Sequence, residues 1–279
     1  MMKIIHLSDL HVRKNNDKKD SKNAIALAQH VKDQHESAPG IETLVVITGD
    51  LVHSTSDDHY TCLQQEVLTH LIPTFRCLIV PGNHDYSKVG CRLDPAGPGR
   101  FRELLKAAEY PTDYPTVYPQ LEEVPAGRAK VRFIGVDTGD KRDKAPLANG
   151  IIDDDQLKKL GGFLRRCARE FVVVYLHHHP IYHKSLFTGF RESEDFCKVV
   201  KNRANLILFG HKHNRQSFYD RKGVPLMLAS GKVSKPEGDA LVYRVIELDT
   251  EADGFGKGRN GVRFYAQETP ADASTLKKA

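Results

Sequence analysis

The chain has 279 residues and a net charge of +5, and its 40% hydrophobic and 28% charged content is typical of an ordinary globular protein with a substantial core. Five cysteines, an odd number without a CxxC pair, argue against a disulfide framework and a thiolate zinc site. The basic residues form no long run with interleaved aromatic side chains, and no apolar stretch approaches the roughly 20 residues that span a bilayer.

Short apolar segments alternate with amphipathic ones along most of the chain. The apolar runs predict strands at residues 3–7, 43–47, 75–80, 131–136, 171–176 and 205–209. Apolar residues at helical spacing predict helices around residues 24–31, 57–71, 102–109, 153–167 and from 193 onward. Residues 86–99 and 110–128 are rich in Gly, Pro and Tyr, which predicts loops.

The pattern changes after Arg215, where strands follow one another without helices between them. This change predicts a meander that forms a second sheet packed on the first. Residues 268–279 are polar and are predicted to be a flexible tail. The organisation therefore predicts a single domain over residues 1–267.

Side chains that can bind metal ions follow five of the predicted strands. In chain order the blocks are Asp9-Leu10-His11, Gly49-Asp50, Gly82-Asn83-His84-Asp85, His177-His178-His179-Pro180 and Gly210-His211-Lys212-His213. Ligands of open α/β sheets bind outside the carboxyl ends of the strands, so we expect these blocks to meet at one rim. Turn and capping preferences explain one such block, but not five together.

The donor set indicates the kind of metal. Carboxylates, imidazoles and one amide oxygen suit Mn, Fe or Zn, and the set is too rich in nitrogen for calcium or magnesium. The donors are too many for one ion, which predicts two ions that share Asp50 and hold a hydroxide between them. The predicted ligands are Asp9, His11, Asp50, Asn83, His178, His211 and His213.

These blocks, in this order, resemble the calcineurin-like metallophosphoesterase superfamily. The resemblance in spacing extends over roughly residues 3–250. It implies an α/β fold, a four-layer α/β/β/α sandwich of two mixed sheets flanked by helices. The resemblance also implies hydrolysis of phosphate esters.

The resemblance assigns a role to each residue. The implied ligands of the first ion are Asp9, His11, Asp50 and His213, and those of the second ion are Asp50, Asn83, His178 and His211. His84 is expected to contact phosphate and protonate the leaving oxygen. Asp85 is expected to orient His84 by accepting its ring N–H.

The run of three histidines leaves a choice of ligand. His178 is favoured because the ligand of the superfamily lies two residues before the proline, here Pro180. Strand alternation would then turn His177 away, and His179 could reach the substrate. A register error of one residue would exchange these roles. His53, three residues after Asp50, is a further candidate for the wall of the site.

Within the superfamily, the Leu-His-His-His-Pro block and Gly150-Ile151-Ile152 before Gln156-Leu157 look like the branch of bacterial class III cyclic-nucleotide phosphodiesterases and glycerophosphodiesterases. We therefore expect a phosphodiesterase acting on a small diester such as a 3′,5′-cyclic nucleotide. The alternative enzymes are a nuclease or a nucleotide pyrophosphatase on the same metal core. A non-catalytic binding scaffold of this fold is disfavoured, because it would be expected to have lost ligands or His84.

The expected partner is the small phosphodiester, with nucleic acid less favoured and no membrane. The N-terminus leads directly into a strand without the apolar segment of a signal peptide, so a cytoplasmic location is predicted. The sequence does not indicate an oligomeric state.

Overall fold

A computed structural model describes residues 1–14, 19–36, 41–88, 92–107, 118–139, 148–181, 188–232 and 240–270. The strands are β1 (Met2–Leu7), β2 (Glu42–Thr48), β3 (Arg76–Val80), β4 (Gln120–Ala126), β5 (Ala129–Gly135), β6 (Phe171–Tyr175), β7 (Leu206–Phe209), β8 (Gln216–Arg221), β9 (Val224–Ala229), β10 (Ala240–Leu248) and β11 (Val262–Pro270). The helices are α1 (Lys19–His35), α2 (Asp57–Leu63), α3 (Thr69–Leu71), α4 (Gly97–Ala107), α5 (Asp154–Arg166) and α6 (Ser193–Val200). A π-helical segment, Gln64–Leu68, joins α2 to α3, and the 3₁₀ turn His84–Tyr86 follows β3.

The first sheet has five strands in the order β11-β10-β1-β2-β3. The strands β1, β2 and β3 are parallel, and β10 pairs antiparallel with both β1 and β11. Ile4 is paired with Leu44 on one side and with Ile246 on the other. All three are fully buried, as expected for a strand that is covered on both faces of its sheet.

The second sheet has six strands in the order β4-β5-β6-β7-β9-β8. Its four central strands, β5, β6, β7 and β9, are parallel, and the edge strands β4 and β8 are antiparallel to their neighbours. The crossovers from β5 to β6 and from β6 to β7 contain α5 and α6. Both sheets are therefore mixed.

The two sheets pack face to face, with helices on their outer surfaces. One buried cluster joins residues of both sheets, among them Ile4 and Val46 from the first and Phe133 and Val173 from the second. A second cluster packs α1 to α4 against the first sheet, and a third packs α5 and α6 against the second sheet. The predicted four-layer α/β/β/α sandwich is confirmed. None of the described helices has the length and apolar character needed to cross a membrane.

The C-terminal strands do not form a sheet of their own, so the predicted second sheet after Arg215 is wrong. Strands β8 and β9 complete the second sheet, while β10 and β11 extend the first sheet beside β1. An antiparallel strand can add to either sheet edge, and its own sequence does not select which one. Strand β11 also continues to Pro270, past the predicted start of the tail, and residues 271–279 lie outside the described chain.

Strand β4 lies within residues 110–128, which were predicted to be a loop. Two adjacent glutamates and a proline lower its strand propensity. The strand forms because it pairs with β5 along its whole length, from the pair of Gln120 with Gly135 to the pair of Ala126 with Ala129. This pairing stabilises a segment whose own strand propensity is low. A proline is tolerated because β4 is an edge strand of its sheet.

Candidate metal centre

Five of the seven predicted ligands have a left-handed backbone conformation in the turns that follow the strands. The residues with a positive φ are Asp9 (56°), His11 (48°), Asp50 (54°), His211 (72°) and His213 (57°). This conformation costs a non-glycine residue about 1–2 kcal/mol, and it persists only where the surrounding structure enforces it. Its concentration at one rim points to a functional site.

The first cluster joins the ends of β1, β2 and β7. The Nε2 atoms of His11 and His213 lie 3.1 Å apart, and His213 Nε2 lies 3.3 Å from Asp9 Oδ1. His11 Nε2 lies 3.8 Å from both Asp9 Oδ1 and Asp50 Oδ2. The donor atoms of these four residues all lie within 4.8 Å of one another. Only the His213 side chain is substantially exposed, at 43%, so this cluster opens to solvent on its side.

The second cluster lies beside the first and joins the ends of β2, β3, β6 and β7. Asn83 Oδ1 lies 3.2 Å from His177 Nε2 and 3.1 Å from His211 Nδ1. The two ring nitrogens are 3.2 Å apart, and Asp50 Oδ2 is 3.4 Å from His177 Nε2. One carboxylate oxygen, Asp50 Oδ2, therefore faces both clusters.

Backbone carbonyls fix which ring nitrogen enters the second cluster. The Nδ1–H group of His177 donates to the Thr48 carbonyl at 2.7 Å. The Nε2–H group of His211 donates to the Thr188 carbonyl at 3.3 Å. Each imidazole then directs its other nitrogen into the cluster. Two electron pairs 3.2 Å apart would repel unless a proton or a metal ion lies against them, so the donor set fits a metal ion.

The two carboxylates at this rim are buried and charged. Burial would raise the pKa of Asp9, but hydrogen bonds from His11 and His213 outweigh it and hold the pKa below its ordinary value. Burial likewise opposes ionisation of Asp50, whereas His177 and His84 hold its pKa well below the ordinary value. Two buried negative charges side by side need compensating positive charge, which is the electrostatic condition for binding cations.

Hydrogen bonds from nearby residues hold the outer oxygen of each carboxylate. Asp9 Oδ2 accepts from the Ser8 hydroxyl at 2.6 Å and from the His211 N–H at 3.1 Å. Asp50 Oδ1 accepts from the His84 N–H at 2.9 Å. These bonds leave Asp9 Oδ1 and Asp50 Oδ2 directed at the clusters.

His84 lies beside the two clusters. Its Nε2 is 4.0 Å from Asp50 Oδ2, and its ring contacts His11 edge to face at 4.6 Å. Its Nδ1–H donates to the carbonyl of His53 at 2.6 Å. Ring nitrogens of His11, His53 and His84 lie within 4.8 Å of one another, so His53 does line the site.

Asp85 does not contact the His84 ring, and the prediction that it orients His84 is wrong. Its Oδ1 accepts from the N–H groups of Leu51 and Val52, and its Oδ2 accepts from the N–H of Gly82. Burial, aided by the nearby Asp50 charge, raises the pKa of Asp85 to about 7 against the effect of these donors. Asp85 thus ties the turn after β2 to the turn after β3, and the His53 carbonyl orients His84.

The structure brings two residues of the histidine run, His177 and His178, to the second cluster. His177 contacts Asp50 and Asn83, while His178 Nδ1 lies 2.8 Å from Thr138 Oγ1 and its ring packs 4.4 Å from that of His211. His178 is still close, with a ring nitrogen within 4.8 Å of those of His177 and His211. His179 is buried against Phe209, with ring centres 4.5 Å apart, and does not reach the site.

The register can be traced to the end of one strand. Asp9, Asp50 and His211 each lie two residues beyond the last residue of β1, β2 and β7, respectively. His177 has the same offset from Tyr175, the last residue of β6. The sequence predicted that this strand ends at residue 176, and the same offset from there gives His178.

The glycines before the ligands provide space that a side chain would fill. A Cβ atom at Gly82 would lie 2.3 Å from Asp50 Oδ1, and one at Gly210 would lie 2.6 Å from Asp9 Oδ2. Real Cβ atoms do not approach other atoms so closely, so the neighbouring carboxylates would have to move. The glycines of the Gly-Asn-His-Asp and Gly-His-Lys-His blocks are therefore needed for the close packing of the rim.

The sequence-family model of the calcineurin-like phosphoesterases matches residues 2–215 of the chain. The chain belongs to this family. Membership implies a hydrolase of phosphoric esters with a binuclear divalent metal centre, which agrees with two donor clusters that share Asp50. No curated protein sequence matches the chain significantly.

Several solved structures share the fold at low sequence identity. A dimetal phosphatase from Danio rerio has 15% identity and a TM-score of 0.61, and the match covers 95% of this chain and 98% of that one. A Plasmodium protein described as the anchor in the inner membrane complex has 15% identity and a TM-score of 0.58, covering 98% and 85%. A 5′-nucleotidase from Candida albicans has 11% identity and a TM-score of 0.54, covering 99% and 52%. At these identities the likeness concerns the fold alone.

We predict that Gly82→Ala lowers metal content and thermal stability together, because its Cβ would displace the Asp50 carboxylate. The matched control is Gly99→Ala in α4, where an added Cβ meets nothing within 4 Å. Elemental analysis and thermal unfolding of both variants provide the measurement. Full metal content in Gly82→Ala would show that the rim tolerates a shift of Asp50.

Proposed function

We propose that the protein hydrolyses a small phosphodiester at two metal ions that share the carboxylate of Asp50. The observation that carries this proposal is the position of Asp50 Oδ2, which lies 3.8 Å from His11 Nε2 and 3.4 Å from His177 Nε2. These atoms belong to two different donor clusters. A carboxylate within reach of both clusters would hold both ions of a two-metal site.

The geometry supports one change in the ligand sets expected from the sequence. The proposed ligands of the first ion are Asp9, His11, Asp50 and His213, and those of the second are Asp50, Asn83, His177 and His211. In this proposal His177 takes the place of His178. When bound, two such ions supply Lewis-acid polarisation of the phosphoryl oxygens and activation of the attacking water.

His84 is proposed to protonate the leaving oxygen. The His53 carbonyl accepts its Nδ1–H whether the ring is neutral or charged, so the orientation of the ring does not depend on its protonation state. The other nitrogen, Nε2, faces the space beside Asp50 and can deliver its proton to the departing alkoxide. The exposure of the His84 side chain, 19%, leaves room for a substrate to reach it.

A diester fits the charge of this rim better than a monoester. The two buried carboxylates already carry negative charge, and a diester adds one further negative charge where a monoester adds two. Tighter ground-state binding of a monoester dianion to the ions would lower KM without lowering the barrier. Together with the resemblance of the Leu-His-His-His-Pro block, this argument favours a 3′,5′-cyclic nucleotide as substrate.

His177→Asn and His178→Asn form a matched pair that tests the ligand assignment. The amide nitrogen of asparagine can replace the Nδ1–H of histidine, so each variant can keep its bond to Thr48 or Thr138 while losing Nε2. We expect His177→Asn to lose one ion per chain and His178→Asn to retain both. Elemental analysis of folded protein decides between them, and the reverse pattern would restore His178 as the ligand.

His84→Asn is expected to keep its metal ions and lose about 10²–10⁴ in kcat, because it retains the bond to the His53 carbonyl but has no acid in place of Nε2. The loss should be smaller for bis(p-nitrophenyl) phosphate, whose leaving group needs no proton, than for an alkyl diester. An equal loss for both substrates would contradict the role of His84 as an acid.

The substrate class is tested by kcat/KM for bis(p-nitrophenyl) phosphate against p-nitrophenyl phosphate, followed by 3′,5′-cyclic AMP. We expect the diester to be preferred and the cyclic nucleotide to be hydrolysed. A monoester preference of about tenfold or more, which is about 1.4 kcal/mol in transition-state binding, would overturn the diesterase assignment. The metal centre would be unaffected by that result.

A further inference from the structure

A cavity of about 730 Å³ lies at the end of the second sheet opposite the metal centre. It is lined by residues at the amino ends of β5, β6 and β9 and just before β7. Phe171, the first residue of β6, lines the cavity, whereas His177 lies at the metal centre. Six residues of extended chain place the two sites roughly 20 Å apart. The volume is within the usual range for small-molecule pockets.

The lining of this cavity, which we call the basic cavity, has four cationic side chains and one acidic one. The cations are Lys130, Arg169, Arg203 and Lys257, and the acid is Glu170. Arg132 binds Glu170 with two nitrogens, and Lys130 pairs with Glu123 at 2.8 Å. Within the described part of the chain, the three remaining cations have no acidic partner within salt-bridge distance.

One wall of the basic cavity is a glycine-rich loop between β10 and β11. The loop is fixed in place, because Phe255 stacks on Phe171 at 4.8 Å and the Gly256 carbonyl accepts from Asn205 Nδ2 at 2.9 Å. Gly256 and Gly258 have φ values of 86° and 61°, and an added Cβ at either would meet nothing within 4 Å. The loop therefore lines the cavity at Gly256 and Gly258 with backbone that carries no side chain.

We propose that the basic cavity binds a polyphosphate-bearing small molecule, with its phosphates at Arg169, Arg203 and Lys257. Three uncompensated cations around one concave surface attract a multiply charged anion, and guanidinium groups match phosphate oxygens in pairs. Phe255 and Pro225 supply an apolar wall beside these charges. The ligand class is an inorganic polyphosphate or a nucleoside polyphosphate. The site is separate from the proposed hydrolytic centre and does not depend on it.

Isothermal titration with inorganic triphosphate and with ATP tests the proposal. The cavity variant is Arg169→Ala/Lys257→Ala, and the control is Lys158→Ala/Arg166→Ala, which removes the same charge from exposed positions of α5 outside the cavity. We expect the cavity variant to weaken binding by about tenfold or more and the control by less than about twofold. Equal affinity for the two probes would identify an inorganic polyphosphate, and tighter binding of ATP a nucleotide.

Both variants should hydrolyse bis(p-nitrophenyl) phosphate at the rate of the unmodified protein, which separates this site from the metal centre. An unchanged Kd in the cavity variant would overturn the proposal. So would competitive inhibition of diester hydrolysis with an inhibition constant equal to Kd, since triphosphate would then bind at the metal centre. Binding of a short oligonucleotide through these residues without binding of triphosphate or ATP would also overturn it. Arg169→Gln/Lys257→Gln repeats the test if the alanine variant does not fold.

Discussion

Two carboxylates held side by side at the buried rim between the sheets are the constraint on which the rest of this structure depends. Asp9 and Asp50 are 0% and 1% exposed and remain ionised, so their charge must be balanced locally. In the absence of metal ions part of that balance is a proton. Burial would lower the pKa of His177, but Asp50 raises it to about 9. A bound metal ion would balance the negative charge of the carboxylates in place of that proton. The imidazoles around the carboxylates are positioned to bind such an ion.

The backbone that holds these carboxylates is strained, and the strain is distributed over both sheets. Asp9, Asp50 and His211 each leave the end of a parallel strand in a left-handed turn, and β1, β2 and β7 deliver them to one rim. Asp85 ties the turn after β2 to the turn after β3 through three backbone N–H groups, and glycines leave room for the carboxylates. The covered faces of the sandwich resist relaxation of the turns, so the fold maintains a geometry that the turns alone would not keep.

Much of this arrangement could be predicted from the sequence because buried parallel strands are continuous apolar runs and the ligand blocks follow them directly. The prediction was wrong where local sequence carries no information about the partner. The end of β6 was placed one residue late, and the structure brings His177 as well as His178 to the second cluster. The choice of sheet for β10, and the pairing that stabilises β4, are set by distant strands. Asp85 was assigned from the family pattern, whereas its contacts are set by backbone amides.

The shared fold does not decide the activity, since a phosphatase and a membrane-complex anchor have it in common. The central claim concerns the pair of donor clusters that share Asp50, and anomalous diffraction from crystals of the manganese-loaded protein tests it most directly. We predict two anomalous peaks about 3.5–4 Å apart on either side of Asp50 Oδ2, one of them contacted by His177 Nε2. A single peak at full loading, or a second peak bound by His178 instead, would contradict this account.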